Sequence, residues 1–269
     1  MRAFMSAVLL LLASDAACAG VVMEMTDKDL EDPQAKPGVQ KLSFQDGQFR
    51  VDSLGNGRLD ASVIYRNDTL YSIDHDGKTY TVVDKATMDR TANQMAEMRE
   101  KMQAQMKTMP PEQRAMIEKM MQQQGMPGAA AAQPRPKRAV KDTGRSDTAA
   151  GRSCHVWEVT VDGVKNQELC VVAPGSLPGG NEVMKAMRDM AEMSRDFLEK
   201  IGAGTGPAND AWSDLEQVKG VPILTRDFTD GKATGETRLS AVREEGLGAA
   251  TFEVPKGFKE HKVLLPPAG

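Results

Sequence analysis

Aromatic residues are scarce in this sequence, and it has no excess of basic residues. Phenylalanine, tryptophan and tyrosine make up 4% of its 269 residues, and the formal net charge at pH 7 is -4. Proteins that bind nucleic acid present a basic surface, and those that bind single strands also stack bases on aromatic side chains. The composition supplies neither feature, so we exclude nucleic acid as a partner.

The motifs that mark common catalytic sites are also missing. The chain contains no Gly-x-Ser-x-Gly elbow and no His-Glu-x-x-His pair. Residues 175–180 are rich in glycine but lack the Lys-Ser/Thr ending of a phosphate loop. His155 beside Cys154 is interpreted as an exposed strand residue next to a cystine, since no second Cys or His pair stands at zinc-ligand spacing. We predict no catalytic residues, no metal site and no cofactor.

The first residues have the pattern of a secretory signal peptide. Arg2 supplies a positive start, residues 7–13 an apolar run, and Ala17, Cys18 and Ala19 a cleavage site of small residues. We predict cleavage after Ala19 and a periplasmic or secreted protein; lipidation of Cys18 is the alternative. No later stretch is long and apolar enough to predict a transmembrane helix.

Export makes Cys154 and Cys170 the remaining cysteine pair in an oxidising compartment, which favours a disulfide. A two-residue turn at Asp162-Gly163 would place Cys154 opposite Val171, and the two cysteines would then point to opposite sides of the hairpin. The bond therefore requires a bulge or a longer loop in this hairpin, and residues 164–166 are the candidates for either.

Alternating apolar residues and turn dipeptides predict an antiparallel meander in the first third of the chain. A turn at Asp46-Gly47 sets Phe44 opposite Phe49 and Leu42 opposite Val51, so both strands present apolar residues to one side. A turn at Asp76-Gly77 similarly sets Ile73 opposite Tyr80. Further strand patterns occur at residues 139–145, 154–161, 167–172, 221–227 and 236–242.

Two methionine-rich helices interrupt the strands. Their methionines recur at steps of three and four residues, which places them on one face of a helix. Pro110-Pro111 ends the first helix, and a short second segment carries Met116 and Met120. We expect a flexible Gly-, Ala- and Pro-rich loop at about residues 125–138. The candidate ligand-binding residues on these two faces are Met95, Met98, Met102, Met106, Met109, Met184 and Met187.

Several phrases, in this order, resemble the domain-of-unknown-function 4412 family of exported bacterial proteins. They are Val63-Ile64-Tyr65-Arg66, Tyr71-Ser72-Ile73-Asp74, Pro110-Pro111-Glu112-Gln113-Arg114, Cys154-His155-Val156-Trp157 and Phe252-Glu253-Val254-Pro255-Lys256-Gly257-Phe258. The family is similar in layout to the LolA and LolB lipoprotein carriers, whose curved sheet wraps around helices and accepts acyl chains on its concave face. The resemblance implies a carrier fold but no particular activity.

Taken together, the patterns predict a single α+β domain over residues 20–269. The patterns predict about eleven antiparallel strands, and the resemblance implies that they form a curved, unclosed half-barrel with the methionine-rich helices on its concave face. Methionine adapts to irregular apolar surfaces, so the stripe is interpreted either as core or as a site for a hydrophobic small molecule, lipid or acyl chain. The alternative is an envelope stress or interaction protein whose methionine face binds a partner protein or copper(I), for which thioethers are suitable ligands.

Overall fold

A computed structural model describes residues 20–114, 116, 136–200 and 207–262 of the chain. The predicted signal peptide at residues 1–19 lies outside the described residues. So do most of the predicted loop at residues 125–138 and most of the short methionine-rich segment after Pro110-Pro111.

Strands dominate the described part of the chain. The strands are β1 (Gly20–Asp29), β2 (Gly38–Gln45), β3 (Gln48–Gly55), β4 (Arg58–Arg66), β5 (Thr69–Asp74), β6 (Thr79–Val83), β7 (Arg138–Ala149), β8 (Arg152–Val161), β9 (Val164–Val172), β10 (Val221–Thr229), β11 (Lys232–Glu245) and β12 (Lys259–Glu260). The long helices are α1 (Lys85–Thr108), α2 (Gly180–Lys200) and α3 (Pro207–Val218).

All the strands belong to one open sheet, in the order β12-β6-β5-β4-β3-β2-β1-β11-β10-β9-β8-β7. Each half of the chain forms a meander, and β1 joins the halves by pairing with β11. Only the two-residue β12 runs parallel to its neighbour, with Lys259 beside Thr79. The predicted α+β half-barrel is therefore confirmed, with twelve strands in the described residues rather than about eleven.

The predicted hairpin registers are confirmed. Phe44 faces Phe49, and Leu42 faces Val51. Ile73 faces Tyr80 in the second hairpin. At the first turn, Asp46 and Gly47 both adopt positive φ angles, of 53° and 75°. This is the conformation that a two-residue turn needs to match the twist of its strands.

The cystine hairpin contains a bulge within the predicted residues. Val161 pairs with Val164 and Thr160 with Lys165, but Val159 then pairs with Gln167, which leaves Asn166 as the extra residue. The shift sets Val156 opposite Cys170 and brings the cysteines onto the same side of the hairpin. Cys154 and Cys170 form a disulfide with a Cα–Cα distance of 5.3 Å.

Two layers cover the sheet on opposite sides. Helix α2 contributes Val183 and Ala186 to the largest core cluster, in which they join Phe44, Phe49 and Tyr65 of the sheet. Leu215 and Val218 of α3 extend this layer over Leu169 and Val171 of β9. On the other side, Phe252 packs on Ile64 and Ile73. Since Ile64 and Tyr65 are consecutive strand residues, their side chains point to opposite faces.

Candidate functional site: an apolar cleft beneath helix α2

An apolar cleft separates helix α2 from the central strands. We call it the α2 cleft. Its volume is about 370 Å³, which lies within the range of roughly 300–1,000 Å³ typical of small-molecule sites. The lining residues are Met23, Met25, Gln40, Leu42, Phe44, Phe49, Val51, Val63, Val183, Ala186, Met187, Met190, Val221, Pro222, Thr225 and Thr237.

The cleft has a buried apolar end and a more exposed end. At the buried end, the exposed fractions are 3% for Phe44, 3% for Val183 and 0% for Ala186. At the other end, Gln40, Thr225 and Thr237 are half-buried, and Met190 on the helical wall is 37% exposed. A ligand that enters from the exposed end would therefore bury its far end among apolar side chains.

Polar side chains are confined to the exposed end, which we call the mouth of the cleft. Gln40, Thr225 and Thr237 line it. The Gln40 amide donates to Asp27 Oδ2 at 2.7 Å, and the Thr237 hydroxyl donates to Asp27 Oδ1 at 2.7 Å. These bonds hold the Asp27 carboxylate beside the mouth, so one end of the cleft suits an apolar chain and the other a polar group.

The N-terminus of α2 is fixed close to the sheet at the buried end. Gly179 precedes the helix with a φ of 59°, and a Cβ at this position would lie 1.7 Å from Val21 Cγ2. Only glycine allows this approach and this backbone angle together. Glu182 in the first helical turn then accepts a hydrogen bond from Gly47 N at 2.6 Å. The β2–β3 turn and the helix are thereby joined.

The structure separates the predicted site residues into two groups. Met187 lines the α2 cleft, and Met184 packs against both apolar clusters beneath α2. The other five predicted residues, four on α1 and Met109 directly after it, are absent from the cleft lining. Met95, Met102, Met106 and Met109 are half-buried, and Met98 is 40% exposed. Helix α1 makes its main contacts with β6 and α2.

Most of the cleft wall was not among the predicted site residues. Met23 and Met25 of β1, Phe44 of β2 and Phe49 and Val51 of β3 all line it. The alternation of apolar residues did place Phe44, Phe49 and Val51 on one side of their hairpin. The pattern could not predict which helix covers that side, because the order of the helices along the chain does not determine where each one packs on the sheet.

A second pocket, of about 320 Å³, lies where α1 and α2 approach β4. It is lined by Met88 of α1, Met193 of α2 and a group of carboxylates that includes Asp68 and Glu192. Tyr65 donates a hydrogen bond to Asp68 at 3.1 Å. Burial, this hydrogen bond and the nearby negative charges raise the pKa of Tyr65 to about 12. Tyr65 therefore remains a neutral donor at physiological pH.

The side of the sheet opposite α2 carries a network of ion pairs near the disulfide. Glu168 is buried and accepts from Lys165 Nζ at 2.6 Å and from Arg145. Arg226 bridges Asp147 at 2.9 Å and Glu236 at 2.8 Å. Burial alone would raise the pKa of Glu168, but hydrogen bonds from Lys165 and Arg145 outweigh it and the pKa is lowered. The carboxylates of the network are therefore ionised, and the Lys and Arg side chains that pair with them balance their negative charge.

Ser62, His75 and Asp52 lie together on this same side of β3–β5, but not as a catalytic triad. Ser62 Oγ donates to Asp52 at 2.5 Å and lies 2.7 Å from His75 Nε2. Arg50 contacts Asp52 and also donates to Thr251 O at 3.1 Å. Ser62 is 2% exposed. The carboxylate binds the serine rather than orienting the histidine, and the group anchors the C-terminal segment to the sheet.

Within the described ranges, no group of three or more His, Cys, Asp or Glu side chains is arranged to hold a metal ion. None of the described helices combines the length and apolar character needed to cross a bilayer.

Comparisons with known proteins give only distant similarities in structure. No family profile matches the chain, and no curated protein matches it in sequence. An uncharacterised conserved protein from Thermus thermophilus is 8% identical with a TM-score of 0.43, over 91% of this chain and 90% of that one. The MucA/MucB complex structure from Pseudomonas aeruginosa gives 7% identity and a TM-score of 0.38, over 88% of this chain and 56% of that one.

Proposed function

We propose that this protein is an exported, non-catalytic binding protein that holds one acyl chain of a lipid-like ligand in the α2 cleft. The observation that carries the proposal is the polarity of the cleft: a buried end lined by Phe44 and Val183 and a mouth lined by Gln40 and Thr237. An amphiphile has the same division between apolar chain and polar head.

The energy of binding would come from removing the chain from water. Each buried methylene contributes about 0.8 kcal/mol before the costs of immobilising the ligand are subtracted. Met187 and Met190 form part of the helical wall. Their unbranched, flexible side chains can adjust to chains of different length, as methionine does on surfaces that bind varied apolar partners.

Two observations support placement in the envelope. The Cys154–Cys170 disulfide is the kind of bond that persists in an oxidising compartment. The first 19 residues have the composition of a cleaved signal peptide. The resemblance to the 4412 family of exported proteins supports the same compartment.

Titration with a pyrene-labelled fatty alcohol tests the proposal, because this probe has a long chain and no charge. We expect saturable uptake of one probe per protein. Met190→Trp fills part of the cleft and should weaken binding at least tenfold, whereas Met98→Trp on α1 should leave it unchanged. The two sites are matched in exposure, at 37% and 40%. Absence of saturable uptake, or equal effects of the two variants, would overturn the proposal.

The face of α1 supports a second candidate function, capture of copper(I). Its methionines lie at successive helical turns, Met98 is 40% exposed, and thioethers are soft ligands. Stoichiometric copper(I) binding that is lost when Met95, Met98 and Met102 become leucine would favour this function. Unchanged binding in that triple variant would exclude the stripe as the site.

A further inference from the structure

Two carboxylates adjoin residues that line the mouth of the α2 cleft, and each accepts a hydrogen bond from a glutamine of the neighbouring strand. Gln40 of β2 donates to Asp27 of β1 at 2.7 Å. Gln167 of β9 donates to Asp227 of β10 at 2.8 Å. Asp227 follows the lining residue Thr225 by two positions, so alternation along the strand points its side chain to the cleft side of the sheet.

The register places both carboxylates at the same end of the cleft. On β11, which separates β1 from β10, Asp27 pairs with Thr237 and Asp227 pairs with Gly235. Gly235 carries no side chain, and a Cβ there would lie 3.4 Å from Asp227 Oδ2. No side chain at this position of β11 therefore fills the space beside Asp227 at the mouth of the cleft.

These carboxylates differ from those on the opposite side of the sheet in having neutral partners. Glu168 is paired with Arg145 and Lys165, and Glu236 with Arg226 and Arg238. Asp27 accepts from an amide and a hydroxyl, and Asp227 from an amide. Among the residues that the structure describes, no Lys, Arg or His forms an ion pair with either one, so the mouth keeps its negative charge.

We propose that the α2 cleft selects single-chain amphiphiles with a protonated amine head, an assignment that rests on the proposed function. A carboxylate at the protein surface attracts an ammonium group and repels a carboxylate or phosphate head. Gln40 and Thr237 keep Asp27 oriented without neutralising it. The volume of about 370 Å³ is near the lower end for ligand sites and suits one chain.

Three ligands of equal chain length separate head selectivity from chain binding: hexadecylamine, hexadecanol and palmitate. Each competes with the pyrene-labelled fatty alcohol, below its own aggregation threshold and at low salt. The amine should bind roughly tenfold more tightly than palmitate, with the alcohol between them. Raising the salt concentration should narrow the differences through screening.

Two double variants test whether Asp27 and Asp227 cause the preference for an amine head. Asp27→Asn with Asp227→Asn should abolish the preference for amine over acid and leave hexadecanol affinity unchanged. Glu97→Gln with Glu100→Gln, on the exposed face of α1, removes the same charge and should preserve the preference. If hexadecanol binds but amine and acid bind equally, or if the preference survives in the double Asp variant, the head assignment is wrong. If none of the three ligands binds, the proposed function itself fails.

Discussion

Helices α1 and α2 carry methionines at the same spacing but in different surroundings. On α2, Met184, Met187 and Met193 pack against the largest core cluster. On α1, burial is limited to the first two turns, where Met88 is 7% exposed, and Met98 further along is 40% exposed. The same pattern thus produces a core face in one helix and a partly open face in the other.

The residues between the methionines account for the difference. Helix α2 adds Val183, Ala186 and Ala191 to its apolar face, and all three are buried. Small and branched side chains let the helix approach the sheet closely enough to exclude water. In α1, Ala92 is buried but Ala96, one turn later, is exposed. Methionine spacing therefore identifies a helical face, and the neighbouring small residues decide whether it packs.

The largest effect is expected from placing a charge at equivalent positions of the two helices. Ala186→Glu buries a carboxylate at a site that is 0% exposed and should lower the free energy of unfolding by about 3–5 kcal/mol. Ala96→Glu on α1 should change it by less than about 0.5 kcal/mol. Urea unfolding followed by circular dichroism measures both. Similar losses in the two variants would contradict the assigned packing.

A smaller difference is expected from removing methionine side chains. Met187 is half-buried and packs on both apolar clusters, so Met187→Ala should cost about 2 kcal/mol, the lower end for such truncations. Met98→Ala should cost less than about 0.5 kcal/mol. Thermal and urea unfolding of the pair give these values. A greater loss at Met98 would reverse the comparison.

The smallest effect concerns Tyr65, which lies where the two helices meet the sheet. Its pKa is raised from 10.0 to about 12 in the folded protein, so folding favours the protonated phenol. The stability from this shift is fully present below pH 10 and is lost as the pH rises through 12. Titration of the tyrosinate absorbance in the wild-type protein and in Tyr65→Phe isolates the signal of Tyr65 as the difference between the two curves. The midpoint of that difference should lie near pH 12. A midpoint near 10.0 would refute the burial of this phenol.

Local turn chemistry made much of the sheet predictable. Asp46-Gly47 fixed the register of Phe44 against Phe49, and the position of the cysteines required a bulge or a longer loop, of which the structure has the bulge at Asn166. These features depend on residues close together in sequence. A one-residue error would have moved every apolar side chain to the wrong face, so there was only one consistent register.

Features that depend on distant contacts were not predicted. Helix α3 begins at Pro207, a residue suited to a first helical turn, but its short apolar face gave no strong signal. The two-residue β12 depends on its partner β6 rather than on its own sequence. The carboxylates at the mouth could not be recognised either, because Asp27 and Asp227 are far apart in sequence and reach the same end of the cleft through strands that pair with β11 on its two sides.

The candidate site was predictable in chemistry and only partly in position. Met184 and Met187 were selected because of their helical spacing, and Met187 lines the cleft. The α1 methionines have the same spacing, so sequence alone gave no reason to rank them lower. The distinction comes from tertiary packing, which places α2 over the central strands and α1 beside β6.

The most direct test of the central claim is photo-crosslinking with a fatty alcohol that carries a diazirine at the end of its chain. Mass spectrometry of the labelled protein then identifies the residues that the chain end touches. We expect labels around Phe44 and Phe49 and on residues 183–187 of α2. Labelling confined to residues 95–109, on α1 and directly after it, would contradict binding beneath α2.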